Sequence, residues 1–297
     1  RDPLWSRGLG DVYKRQFMVK TAQKMYHEIS PETGEFIDFM IDHELMDLQN
    51  KPGKASTGYM TSLPSLKAPF VFSCFNHTIF DMQVLTHELG HAFAGYMAMR
   101  SQPISDYYSE STDIAEIHSM SMEQFAYPYA EWFFGDQADK FRFAHLQEAL
   151  TFVPFGVAVD EFQHICYAHP ELTPKERTYQ WHLLEEKYMP WRKYDNDAFM
   201  ERGGYWYHKL HIYLYPFYYI NYTLTTMGAM EFKKKYAEDK AAAWQDYLKL
   251  CKTGGCRSYL ETLRYANLAN PFEAGSVERA CGYAEKILLE KIAEQEK

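Results

Sequence analysis

Two histidines four residues apart, the first followed directly by a glutamate, stand in the run His87-Glu88-Leu89-Gly90-His91. On a helix this spacing projects both imidazoles from one face, where they can share one Zn²⁺ ion. A zinc ion with three protein ligands keeps a position open for water and brings its pKa down to about 7, so the chemistry in view is hydrolysis. Two histidines leave the third ligand to be found. Downstream, Asp113-Ile114-Ala115-Glu116-Ile117-His118-Ser119-Met120-Ser121-Met122-Glu123 offers carboxylates. Glu116 and Glu123 lie seven apart and share a helix face, with Asp113 nearly on it. Ile114, Ile117, Met120 and Met122 make that helix apolar nearly all round, which predicts burial. A buried carboxylate requires a partner, and a metal ion is a sufficient one.

The elements that must position these groups are helical. Around HELGH a helix is expected from about 79 to 100, capped by Thr78 with Asp81 three residues on, its apolar side formed by Phe80, Val84, Leu85, Phe93 and Met97. The carboxylate helix is expected over 112 to 133 with Ser111 or Thr112 as its cap. Helical spacing further predicts elements near 136 to 152, 154 to 168, 173 to 188, 195 to 202, 211 to 237, 239 to 252, 256 to 267 and 276 to 296. Before the motif, Phe17 to about Asp47 reads as two helices broken by Pro31 and Gly34. Asn50 to Ser65 reads as a loop, and Ala68 to Phe75 as the one good strand candidate. No repeat or low-complexity tract divides the chain, so a single helical domain is expected over 17–297. Residues 1–16 have no clean period and resemble linker or adapter sequence rather than a secretory signal.

Composition narrows the function classes. A formal net charge of -9 gives no basic footprint for nucleic acid or anionic lipid. No apolar run approaches the eighteen or so residues of a membrane span. The five cysteines are odd in number and scattered, which argues against a disulfide framework and for a reducing, cytoplasmic setting. Cys251 and Cys256 have no second pair with which to hold a metal. Nothing in the sequence specifies an oligomeric state.

Three ordered motifs, GYMTSLPSLKAPFVFSCFN, VLTHELGHAF and DIAEIHSMSMEQF, with 29 residues from His87 to Glu116, resemble the catalytic core of the thimet oligopeptidase and oligoendopeptidase F family, more closely its oligoendopeptidase F branch. The resemblance extends to HIYLYPFYYINY further on. It implies a mainly α, zincin-like catalytic domain with a small β element near the active site. It also implies His87, His91 and Glu116 as zinc ligands, Glu88 as catalytic base, and short peptides as substrates. Family members are about twice this long, with an N-terminal helical domain walling a substrate channel, and that domain is expected to be missing here. The alternative to an endopeptidase is therefore an impaired fragment that only binds zinc and peptide.

Between Tyr205 and Tyr222 stand seven tyrosines with His208 and His211. By resemblance, a histidine and tyrosines of this segment donate hydrogen bonds to substrate and to the tetrahedral intermediate: His211 and Tyr218 first, Tyr219 next, with Tyr215 and Tyr222 open. The resemblance also implies that Ala68 to Phe75 is a strand edge pairing with substrate backbone. Asp113 or Glu123 could hydrogen-bond a ligating histidine. His118, off the ligand face, is expected to pack or to support a ligating residue, and His208 to be structural or exposed. Asp160, Glu161, His164, the run Lys233 to Lys235 and the charged C-terminal helix are expected at the surface.

Overall fold

The computed structural model describes residues 15–55, 58–76 and 79–295. The expected linker segment 1–16, save its last two residues, lies outside them, as does the expected cap Thr78.

Helices α1 (Arg15–Ile29) and α2 (Pro31–Asp42) bury Met18, Ala22 and Met25 against Phe36 and Met40, following the three-and-four spacing. The break falls at Ser30, whose hydroxyl accepts from the Thr33 N–H while the Thr33 hydroxyl accepts from the Ser30 N–H, both at 3.1 Å. Pro31 fits the first turn, where its missing N–H would have no partner anyway. Gly34 does not break the chain as expected. It lies inside α2, where a Cβ would come 2.7 Å from His27 Nδ1, so the glycine lets the two helices close.

The helical expectation up to Asp47 runs too far. Glu44 turns the chain at φ 53°, and Met46–Gln49 forms β1. The stretch expected to be a loop contains β2 (Tyr59–Leu63), whose alternating exposure is that of a strand with one covered face. Its lysine-, glycine- and serine-rich surroundings masked the alternation. Strand β3 (Ala68–Phe75) lies where expected, but at the centre. The order is β1-β3-β2, with β1 parallel and β2 antiparallel to β3, Tyr59 opposite Phe72 and Leu63 opposite Ala68. The two edges of the sheet therefore belong to β1 and β2, and β3 has none.

Helix α3 (Phe80–Ser101) crosses beneath this sheet and packs on α4 (Thr112–Phe125). The latter stops eight residues before the expected 133 because Pro128 imposes a 3₁₀ turn at Tyr127–Tyr129 ahead of α5 (Ala130–Phe134). Conversely, α6 (Ala138–Ala168) runs through Pro154, where two helices were expected. A proline inside a helix costs about 3 kcal/mol. Both halves of α6 are buried, Phe141 and Leu146 before the proline and Phe155, Val159 and Phe162 after it, and this burial offsets that cost.

Helices α7 (Pro174–Tyr188) and α8 (Ala198–Glu201) lead to a turn at Gly204–His208. The long helix expected over 211 to 237 is instead α9 (Leu210–Leu214) and α10 (Ile220–Glu238), parted around Pro216, where Phe217 takes φ 61°. Helices α11 (Lys240–Thr253), α12 (Tyr259–Tyr265) and α13 (Ser276–Gln295) complete the chain near the expected positions. One core gathers α1, α2, the sheet, α3, α4 and α11. A second, aromatic core around Phe155, Phe162, Trp181 and Trp206 joins α6 and α7 to the tyrosine-rich segment. The site lies where the two meet.

Candidate metal centre

Helix α3 begins near Asp81, whose Oδ1 accepts the Asn76 N–H at 3.0 Å. Two and three turns on, it presents His87, Glu88 and His91. Helix α4 brings Glu116 to them because the helices touch at a glycine: a Cβ on Gly90 would lie 2.6 Å from Ser119 Cα. Glu116 Oε2 stands 3.1 Å from His87 Nε2 and 3.3 Å from His91 Nε2. One donor atom from each residue falls within 4.8 Å of the others, and no other group of three such side chains is found among the described residues. The Ser119 hydroxyl donates to Glu116 Oε2 at 2.9 Å and steadies it.

Charge within the cluster is balanced locally. Burial works against ionisation of Glu116, but the hydrogen bonds from His87 and His91 overcome it and hold the carboxyl well below its usual range. Burial likewise works against a charged His87, and its bonds to Glu116 and Glu123 more than restore it. Two nitrogens and a carboxylate oxygen, partly covered and converging, are a donor set suited to zinc. Glu88, only 6% exposed, points into the same space, and burial pushes its carboxyl above the ordinary value. Its Oε2 has no hydrogen-bond partner among the described residues. Gly58, at the start of β2, leaves room beside it: a Cβ there would lie 2.8 Å from Glu88 Oε1.

Of the two carboxylates that could support a ligating histidine, Glu123 does so, with Oε1 2.6 Å from His87 Nδ1. Asp113 instead accepts from the Ser111 hydroxyl. His118 packs off the ligand face as expected, 1% exposed, with Nδ1 3.1 Å from Glu110 Oε1.

The tyrosine-rich segment sorts itself by burial. His211, on α9, lies among Tyr218, Tyr219 and Tyr222, with ring centroids 6.1, 5.1 and 5.9 Å away. Tyr219 turns away into the second core, 6% exposed, against Phe152 and Phe155. Tyr222 faces the metal cluster: after burial and a hydrogen bond with Tyr218, the charge of Glu116 helps raise its pKa. Burial and the neighbouring Lys209 lower the pKa of His211, which is therefore neutral at pH 7.

His208 is exposed, and Glu161 pairs with Lys187 at 2.9 Å on the outer face of α6, while His164 stands 3.4 Å from Asp160, all as expected. The lysine run is not simply a surface feature. Lys233 is inserted over the Tyr127 ring at 3.5 Å, and Lys235 is tied to Asp246 at 2.6 Å. Cys251 is buried and Cys256 exposed, and neither belongs to a metal-ligand group among the described residues. His145, which reaches Glu123 from another helix, and Tyr127, whose hydroxyl meets His145, had no local signal in the sequence.

Two histidines and a glutamate thus converge from a pair of packed helices as a possible metal-binding set. The chain belongs to peptidase family M3, whose family model matches residues 7–282. It is 25% identical over 268 residues to the oligoendopeptidase F homolog of Borreliella burgdorferi, a match covering 86% of this chain and 44% of that protein. It is 22% identical over 265 residues to oligopeptidase PepF of Bacillus subtilis, covering 86% of this chain and 38% of that one. The structure of PZ peptidase A with an inhibitor superposes with a TM-score of 0.87 and 48% identity, over 93% of this chain and 49% of that one. The chain thus spans half or less of the length of these relatives.

Proposed function

We propose that this chain is the catalytic portion of a zinc-dependent endopeptidase that hydrolyses short oligopeptides. The observation that carries the reading is the convergence of His87 and His91 on a single oxygen of Glu116, beside a buried Glu88 with an uncommitted oxygen. Membership of family M3 supports it.

His87, His91 and Glu116 would hold the zinc. When bound there, zinc supplies Lewis acidity that acidifies water and polarises a carbonyl oxygen. Glu88 takes the proton from the attacking water, and its raised pKa makes it the stronger base. It then delivers that proton to the leaving amine. His211, being neutral, offers an N–H to the substrate carbonyl, and the Tyr218 and Tyr222 hydroxyls donate to the oxygen on which negative charge develops. Tyr222 is preferred to Tyr219 as a donor because the Tyr219 ring packs against Phe152 and Phe155.

Substrate backbone pairs with the edge of β2, since β3 is flanked on both sides and Gly58, next to β2, adjoins Glu88. Such pairing reads main chain, which suits broad sequence tolerance. Five free cysteines fit a reducing, cytoplasmic setting, and no helix among the described residues is long and apolar enough to cross a membrane.

Ligand removal tests this function. His91→Ala should lose zinc and cleavage of internally quenched oligopeptides together, and cleavage at the parental rate would contradict the assignment. A second reading, zinc and peptide binding without turnover, draws on the exposed aromatic face beside the site, where Tyr213, Leu214 and Tyr215 are 49%, 56% and 58% exposed. It predicts saturable peptide binding by a zinc-loaded chain that hydrolyses nothing.

A further inference from the structure

Glu123 is held at both ends. While Oε1 meets His87 Nδ1 at 2.6 Å, Oε2 stands 2.5 Å from Nε2 of His145, a 7%-exposed residue on α6 whose ring stacks on Phe141. The second nitrogen of His145, Nδ1, lies 2.7 Å from the Tyr127 hydroxyl in the 3₁₀ turn after α4. Burial holds the Tyr127 phenol well above its usual pKa, so it keeps its proton, and the Gln124 side chain also hydrogen-bonds this phenol.

These contacts fix the direction of both hydrogen bonds to Glu123 and, for a neutral His145, that of the bond from Tyr127. Ionised Glu123 can only accept, so each imidazole must bring it an N–H. A neutral His145 that gives its Nε2–H to Glu123 has a bare Nδ1, and the Tyr127 O–H fills that acceptor. Glu123 Oε1 then takes Nδ1–H from His87, which reserves the other nitrogen, Nε2, 3.1 Å from Glu116 Oε2, for the metal position. Partners of this kind orient a ligating histidine and typically change metal affinity ~10- to 100-fold when removed.

We propose that His145 and Tyr127 are positioning residues for the metal centre, setting the tautomer and orientation of His87 through Glu123. This rests on the zinc reading of His87, His91 and Glu116. The competing account is that His145 simply packs against Phe141.

Two readouts separate the possibilities. In the metal-free chain, long-range ¹H–¹⁵N spectra should show His145 protonated at Nε2 and bare at Nδ1, with Tyr127→Phe eroding that preference. An Nδ1–H tautomer in the parent protein would overturn the proposal. In chelator competition, His145→Phe, which keeps a stacked ring but removes both nitrogens, should bind zinc ~10- to 100-fold more weakly. His145→Gln, whose amide can still donate to Glu123, should recover most of that loss. A folded His145→Phe that binds zinc within about twofold of the parent would mark packing alone and refute the proposal. Should His145→Phe fail to fold, Tyr127→Phe decides: a several-fold loss of affinity supports positioning, and unchanged affinity refutes it. A parent chain that takes up no zinc would sink the zinc reading instead, and the histidine tautomers would still decide the hydrogen-bond chain.

Discussion

A Cβ on Gly90 would lie 2.6 Å from the Cα of Ser119 and 3.0 Å from the His118 carbonyl oxygen, so α3 and α4 meet backbone to backbone at the metal centre. Gly90 immediately precedes His91, and Ser119 lies one turn beyond Glu116. The close approach is what lets imidazoles on one helix reach a carboxylate on the other.

Gly90→Ala is expected to separate the ligands. Alanine favours a helix over glycine by about 1 kcal/mol, but the methyl has backbone on its far side that cannot swing away. Net destabilisation of about 2 kcal/mol is expected from overpacking at such a contact, together with zinc affinity reduced by about tenfold or more, as for lost ligand support. Urea denaturation and chelator competition measure the two effects. Unchanged zinc affinity in the variant would show that the helix contact does not set the site.

The tyrosines divide by role. Tyr222→Phe removes a donor facing Glu116, and loss of one oxyanion donor costs kcat about 10²- to 10³-fold. Tyr219→Phe, altering a ring packed on Phe152 and Phe155, should leave kcat within about threefold, since no transition-state contact is lost. Equal losses in the two variants would require a different assignment of the donor.

Lys233 makes stability depend on pH. Burial, with Arg142 nearby, lowers its pKa to about 7 in the folded chain, from an ordinary 10.5. Below pH 7 both states carry the proton, and the folded state bears the full cost of a buried ammonium, partly offset by the Tyr127 ring at 3.5 Å. Between the two pKa values the unfolded chain binds more protons, so stability rises with pH there. Lys233→Met should therefore stabilise the metal-free protein by about 1–3 kcal/mol at pH 6, with the gain fading toward pH 10. Urea midpoints at the two pH values measure it, and a gain independent of pH would contradict the burial argument.

Much of this site could be read in the sequence because its parts are local. The spacing of His87 and His91, and of Glu116 and Glu123, follows from one helical turn or two. Which carboxylate would support His87 was not local: Asp113 and Glu123 share a face, and only the crossing of α3 and α4 at Gly90 brings Glu123 to Nδ1. His145 was beyond reach, since its partner is 22 residues away on another helix. The helix expected over 211 to 237 is broken because the chain leaves it at Tyr215 to Tyr219 around Pro216, with Phe217 at φ 61°, a backbone turn that helical spacing of apolar residues does not reveal. Strands β1 and β2 are four and five residues long and are defined by their pairing with β3, a long-range fact that alternation in so short a run cannot reveal.

The account turns on Glu88 as the base beside a zinc held by its neighbours. The direct measurement is the rate at which the zinc-loaded chain cleaves an internally quenched oligopeptide, beside Glu88→Gln carrying the same zinc. A carboxamide can hold a water but cannot take its proton, so the variant should retain one zinc per chain and lose kcat by about 10²- to 10⁴-fold. Cleavage by Glu88→Gln at the parental rate, with zinc bound in both, would contradict the mechanism.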